Sequence, residues 1–85
     1  MKGVFHKEME KMTITEREHE NENYCIFLDA EKGRNGFYYK ISVFEKIPNG
    51  EGGYYLGFPM REMHYGLNEK EKAQATFRRY RKKYV

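Results

Sequence analysis

The sequence predicts an α+β fold: a four-stranded antiparallel β-meander with one C-terminal α-helix packed on one face. Three observations carry that expectation. Over residues 37–47 an apolar row, Phe37, Tyr39, Ile41 and Val43, alternates with an aromatic and basic row, as a half-buried strand requires. Turn-forming clusters at residues 20–23, 31–36 and 48–53 separate four segments of β character. After them, residues 68–85 contain no Gly or Pro and place Ala73, Phe77, Tyr80 and Tyr84 on one helical stripe. At 85 residues the chain is expected to hold a single β-β-β-β-α domain over 12–85, preceded by a flexible arm or edge segment over 1–11.

The first strand is expected over residues 12–19, with Met12 and Ile14 on one face and Thr13, Thr15 and Arg17 on the other. Residues 24–29 are apolar on both faces, as in a central strand. Gly33, Asn35 and Gly36 supply the loop that follows, since a hairpin needs positive φ. In the third strand Phe37, Tyr39, Ile41 and Val43 face the core, opposite Tyr38, Lys40, Ser42, Phe44 and Lys46. A fourth strand runs from Tyr54 to about Met63. There Tyr54, Leu56, Phe58 and Met60 alternate with Tyr55, Gly57, Pro59, Arg61 and Met63. Pro59 cannot donate to a ladder, which marks an edge strand or a bulge. Asn68 and Glu71 match a capping box opening the helix, and Gly66 permits a sharp entry. Because loops are short and strands consecutive, the connections should be antiparallel, with the helix returning over one face.

Charge is unevenly distributed. Sixteen Lys and Arg against 13 Asp and Glu give a formal +3. Residues 8–31 carry eight acids and two bases, a local −6, whereas residues 69–85 carry seven bases and two acids, a local +5. Blocks of one sign create a field that attracts opposite charge, so the C-terminal helix is the natural place for an anionic partner. Basic residues at a helix C-terminus also suit the helix dipole, an ordinary structural use of the same residues. Abundant Lys, Glu, Asn, Tyr and Phe without Trp would suit an AT-rich bacterial or phage genome.

The lone Cys25 excludes an internal disulfide framework and any C-x-x-C motif, and fits a reducing compartment. With no signal-peptide pattern and no run of 18 apolar residues, a cytoplasmic protein without membrane contact is expected. His6, His19, Cys25 and His64 lack metal-ligand spacing, so no metal or other cofactor is expected. Glu16, Glu18, Glu20 and Glu22 would share a strand face, where alternating Glu more often protects an edge than performs acid–base catalysis. Residues 50–53 lack the Lys-Ser/Thr of a phosphate-binding loop. The chain reads as a non-enzyme.

Nucleic-acid binding is the leading functional expectation. Bases stack on exposed rings and cations follow phosphates, so a sheet face with Tyr38, Lys40, Phe44, Lys46, Tyr55 and Arg61 would suit single strands. A helix bearing Arg78, Arg79, Lys82 and Lys83, with Arg81 beside them, could lie along phosphates or in a duplex groove. In architecture the chain resembles the single-stranded DNA-binding coactivator fold of a four-strand meander followed by one helix. Its final 50 or so residues are also similar to the arm-binding domains of phage-type integrases. In that comparison residues 36–40 would begin a strand and residues 68–73 would open the helix. Both resemblances imply DNA binding.

The alternative is a phage or mobile-element protein that inhibits a host defence or nucleic-acid-processing enzyme, presenting the acidic residues 16–22 to a basic surface. A symmetric homodimer is expected as well, because one sheet covered by one helix leaves its second, aromatic face without cover.

Overall fold

The computed structural model describes residues 12–85, so the expected arm over residues 1–11 lies outside the described residues. Strands β1 (Thr13–Glu20), β2 (Tyr24–Gly33), β3 (Gly36–Pro48) and β4 (Tyr54–Gly66) pair antiparallel in the order β1-β2-β3-β4. A helix, α1 (Lys70–Lys83), packs against one face of this open sheet, so the fold is α+β.

Strict alternation in β3 sets the layers. Tyr39, Ile41 and Val43 pair with Ala30, Leu28 and Ile26 of β2, which brings the apolar half of both strands to the helix side. Ala73, Phe77 and Tyr80 of α1 close this core, with Tyr24, Phe37, Met63, Tyr65 and Tyr84 packed around it. Each large apolar side chain removed from water this way contributes about 1.5–3 kcal/mol.

The helix starts differently from its expected form. Leu67–Glu69 form a 3-10 turn, and Glu69, not Glu71, reaches back to accept the Gly66 N–H at 3.0 Å. The chain leaves β4 still extended at Gly66, so the cap closes there through the Glu69 carboxylate alone, glycine having no side chain to return a bond, and Asn68 already lies inside the turn. Farther along, the Tyr65 and Thr76 hydroxyls bond at 2.7 Å beneath the helix. At its end, Asn21 of the β1–β2 turn donates to the Tyr84 carbonyl at 2.8 Å. This satisfies one of the acceptors a helix C-terminus leaves open. The Asn21 side-chain oxygen meanwhile accepts the Asn23 and Tyr24 N–H groups.

Three departures from simple alternation decide which side chains share a face. In β1 the pairing passes from Thr15↔Asp29 to Arg17↔Leu28, with Glu16 bulged out between them. Arg17 and His19 therefore join Ile14 on the helix side, and Glu18 and Glu20 take the open side. The four expected glutamates do not form one row. Strand β2 continues to Gly33, which shortens the expected loop to Arg34-Asn35, and Gly36 takes φ 111°. In β4 the pairs Val43↔Arg61, Phe44↔Pro59 and Lys46↔Leu56 show two irregularities around Pro59, an edge-strand position as its missing N–H requires.

Candidate nucleic-acid interface

The buried positions of α1 are Ala73, Thr76, Phe77 and Tyr80. Helical geometry then turns Ala75, Arg78, Arg79 and Lys82 away from the sheet, where they line a shallow depression of about 310 Å³. On the β1 side, His19 joins Arg78, Arg81 and Lys82 around a groove of about 210 Å³. His19 comes within reach of the helix because the bulge at Glu16 switches its side of the sheet. Among the described residues no carboxylate forms an ion pair with Arg78, Arg79, Arg81, Lys82 or Lys83. These five cations crowd the last two turns of the helix, where its dipole favours positive charge. The Arg79 guanidinium lies 5.5 Å from the Tyr80 ring centre and the Lys83 ammonium 5.6 Å from that of Tyr84.

The scaffold beneath this cluster is fixed from two sides. Asn21 holds the Tyr84 carbonyl, and Arg61 of β4 donates through Nε to the Tyr84 hydroxyl at 3.2 Å. The Tyr24 ring packs edge-on to Tyr84 at 5.5 Å.

The opposite face of the sheet is of a different character. Of the six residues expected there, Tyr38, Lys40, Phe44 and Lys46 share the open face. Tyr55 and Arg61 do not, because they pair with Ile47 and Val43 on the helix side. The phase of β4 was misleading: Tyr54, Leu56, Phe58 and Met60 look like a core row, yet all four are exposed, and Met63 and Tyr65 meet the core instead. Both lysines on the open face are already paired. Lys40 sits 2.8 Å from Glu31, and Lys46 binds Glu20 and the Asn21 carbonyl. The rings are also engaged. Tyr38 donates its hydroxyl to Glu31 at 2.7 Å, while Phe44 is half-buried edge-on to Phe27 at 5.8 Å. By register this face carries Glu18, Glu20, Asp29, Glu31 and Glu62 against Lys40 and Lys46, a net −3. The sheet thus separates an acidic face from a basic helix.

No protein-family model, curated protein or solved structure matches this chain. The reading rests on geometry and charge. Among the described residues no three or more His, Cys, Asp or Glu side chains are grouped to hold a metal ion, and no helix is long and apolar enough to cross a membrane. Cys25 is buried, with its sulfur 3.8 Å from the Tyr54 hydroxyl. The thiol contact is the foremost of several influences, burial and Glu20 among them, that push the Tyr54 hydroxyl up to about 12.

Two carboxylates of the open face titrate in opposite senses. Burial is the largest single influence on Glu31 and acts upward, but the hydrogen bonds from Lys40 and Tyr38 and the Lys40 charge outweigh it, holding the group below its ordinary 4.5. For Asp29 burial dominates and raises the group above its ordinary 3.8, against the hydrogen bond from Thr15. A lowered carboxylate adds stability that is present above its unfolded value and lost as pH falls through the folded one. Wild type should therefore be more stable than Glu31→Gln at neutral pH, with the gap closing below about pH 4 in urea unfolding series. A gap that stays constant across that range would show that ionisation of Glu31 contributes nothing.

His19 and Arg81 complete the basic surface. The run of basic residues from Arg78 already pointed to Arg81, whereas His19 depends on a bulge that the residue pattern of β1 does not signal.

Proposed function

We propose that the protein is a small, non-enzymatic nucleic-acid-binding protein that contacts phosphates through the exposed side of α1 and the adjoining β1 groove. The observation that supports this reading is the cluster of Arg78, Arg79, Arg81, Lys82 and Lys83 beside His19, unpaired among the described residues, with five carboxylates on the opposite sheet face. Cations without internal partners can release counterions from a phosphate backbone, whereas Lys40 and Lys46 would first have to break their own ion pairs. The convex helix and shallow grooves suit backbone contact better than insertion of single bases. Such binding depends strongly on salt. Fluorescence anisotropy with labelled single-stranded and duplex oligonucleotides should show binding at about 50 mM salt, and engagement of all five cations would give duplex DNA a log–log slope near −4.5. No binding to either at that salt would rule the reading out.

The second reading, a phage or mobile-element inhibitor of a host enzyme, draws support from the net −3 of the open face. Five carboxylates spread over three strands could cover a basic nucleic-acid-binding surface on another protein. It predicts a stoichiometric protein partner that survives nuclease treatment of the lysate and is lost when Glu18 and Glu62 are changed together to Lys.

A further inference from the structure

Two of the aromatic and basic residues that the sequence picks out, Tyr55 and Arg61, lie on the helix side of the sheet and not on the acidic face. Around Tyr55 that side opens into a shallow apolar cleft of about 420 Å³, lined by Ile47, Tyr55, Leu56, Gly57 and Phe58. Its volume is at the lower end of small-ligand pockets, about 300–1,000 Å³. Gly57 keeps the floor clear, because a Cβ there would come within 2.9 Å of the Ile47 Cδ1. Tyr55 is 56% exposed and Phe58 94% exposed, and among the described residues neither ring packs against another aromatic ring.

What lies next to the cleft decides its occupant. Arg61 and Lys83 meet at Tyr84, Arg61 through its bond to the hydroxyl and Lys83 at 5.6 Å from the ring centre. Neither cation forms an ion pair among the described residues. Arg61 pairs with Val43 and Tyr55 with Ile47, four residues farther along β3, so the cations and the cleft lie about 13 Å apart along the strand. A few nucleotides span that distance, since each rises about 3.4 Å when stacked. Between the two, the register places Glu45 on the same side, opposite Tyr24. A carboxylate there repels phosphate, so the cleft suits an uncharged base whose backbone passes over Arg61 and Lys83. Exposed rings beside cations hold single strands in this way, because every base offers a π face to stack on. In a duplex those faces are covered by the neighbouring base pairs, and only the backbone and the base edges remain accessible.

We propose that the protein takes a single strand of nucleic acid, with one base stacked on Tyr55 and Phe58 in this cleft and phosphates a few nucleotides along held by Arg61 and Lys83. This assignment rests on the nucleic-acid binding proposed above and adds to it the class of strand. The base site lies on the β4 flank of α1, across the helix from the groove at His19, so a strand that fills both passes over the helix C-terminus.

Fluorescence anisotropy at about 0.1 M salt, with a labelled oligothymidylate of about 12 nucleotides and a duplex of the same length, tests this. Phe58→Ala should lower single-strand affinity about 5- to 150-fold and leave duplex affinity within about twofold. Its thermal transition should match that of wild type, because the ring is exposed. Phe58→Trp keeps an aromatic ring and supplies a second readout: the chain has no other Trp, and the emission should be quenched by the single strand but not by the duplex. Single-strand affinity unchanged in Phe58→Ala, or lowered equally for both forms of nucleic acid, would overturn the proposal. So would Trp emission that the two forms alter alike. If Phe58→Ala fails to fold, Phe58→Trp alone decides the outcome. Wild type that binds neither form would remove nucleic-acid binding itself, whereas duplex binding with no effect of these substitutions on the single strand would remove the base site alone.

Discussion

Replacing Phe77 by alanine is expected to destabilise the fold by about 3–5 kcal/mol. Phe77 is 2% exposed and sits between Ala73 and Tyr80 in the row that joins α1 to the sheet. Removing its ring leaves a cavity in the cluster that it forms with Ile26, Leu28, Ile41 and Val43, between the neighbouring Ala73 and Tyr80. A 14-residue helix is marginal in water by itself, so α1 depends on this contact as much as the sheet depends on α1. Domains are typically stable by about 0.05–0.15 kcal/mol per residue, so the loss is a large part of what an 85-residue chain has. Urea unfolding should show the shift directly, and the melting temperature should fall by at least about 12 °C. A loss below about 1 kcal/mol would mean that the sheet is stable without a docked helix.

The second large effect concerns binding. Changing Arg78, Arg79 and Lys82 together to alanine should lower affinity for duplex DNA by about 10²- to 10³-fold at 0.1 M salt and flatten the log–log slope by roughly 2.7, one phosphate contact per side chain. Stability should hardly change, because all three side chains are exposed and have no ion-pair partner among the described residues. Lys40→Ala with Lys46→Ala should behave in the opposite way. Each lysine is tied to a carboxylate of a neighbouring strand, so their loss affects the sheet and leaves nucleic-acid affinity within about twofold. Equal losses from the two sets would place the interface on both sides of the protein and remove the distinction between them.

The fold was legible wherever periodicity was local and strict. Alternation in residues 37–47 identified both sides of β3, and the spacing of Ala73, Phe77, Tyr80 and Tyr84 identified the buried stripe of α1. Bulges were not legible, since one extra residue exchanges the two sides of a strand without altering its composition. That is why His19 and Arg17 moved to the helix side and why the glutamate row broke at Glu16. The open-face lysines illustrate a second barrier. Glu31 and Glu20 neutralise them only because β-pairing brings together residues 9 and 26 positions apart, a fact of register and not of sequence. Strand β4 misled in a third way, because the register that follows its two irregularities turns Tyr54 and Leu56 of its most regular apolar row to the open face beside Lys46, where they remain exposed.

The central claim is that nucleic acid meets the basic helix and the β1 groove, not the acidic sheet face. The most direct measurement is a backbone amide chemical-shift map of labelled protein titrated with a short duplex or single-stranded oligonucleotide. The largest shifts should fall at His19 and from Arg78 to Lys83, and they should disappear at high salt. Shifts centred on Tyr38, Lys40, Phe44 and Lys46, or no shifts at saturating oligonucleotide, would contradict the claim.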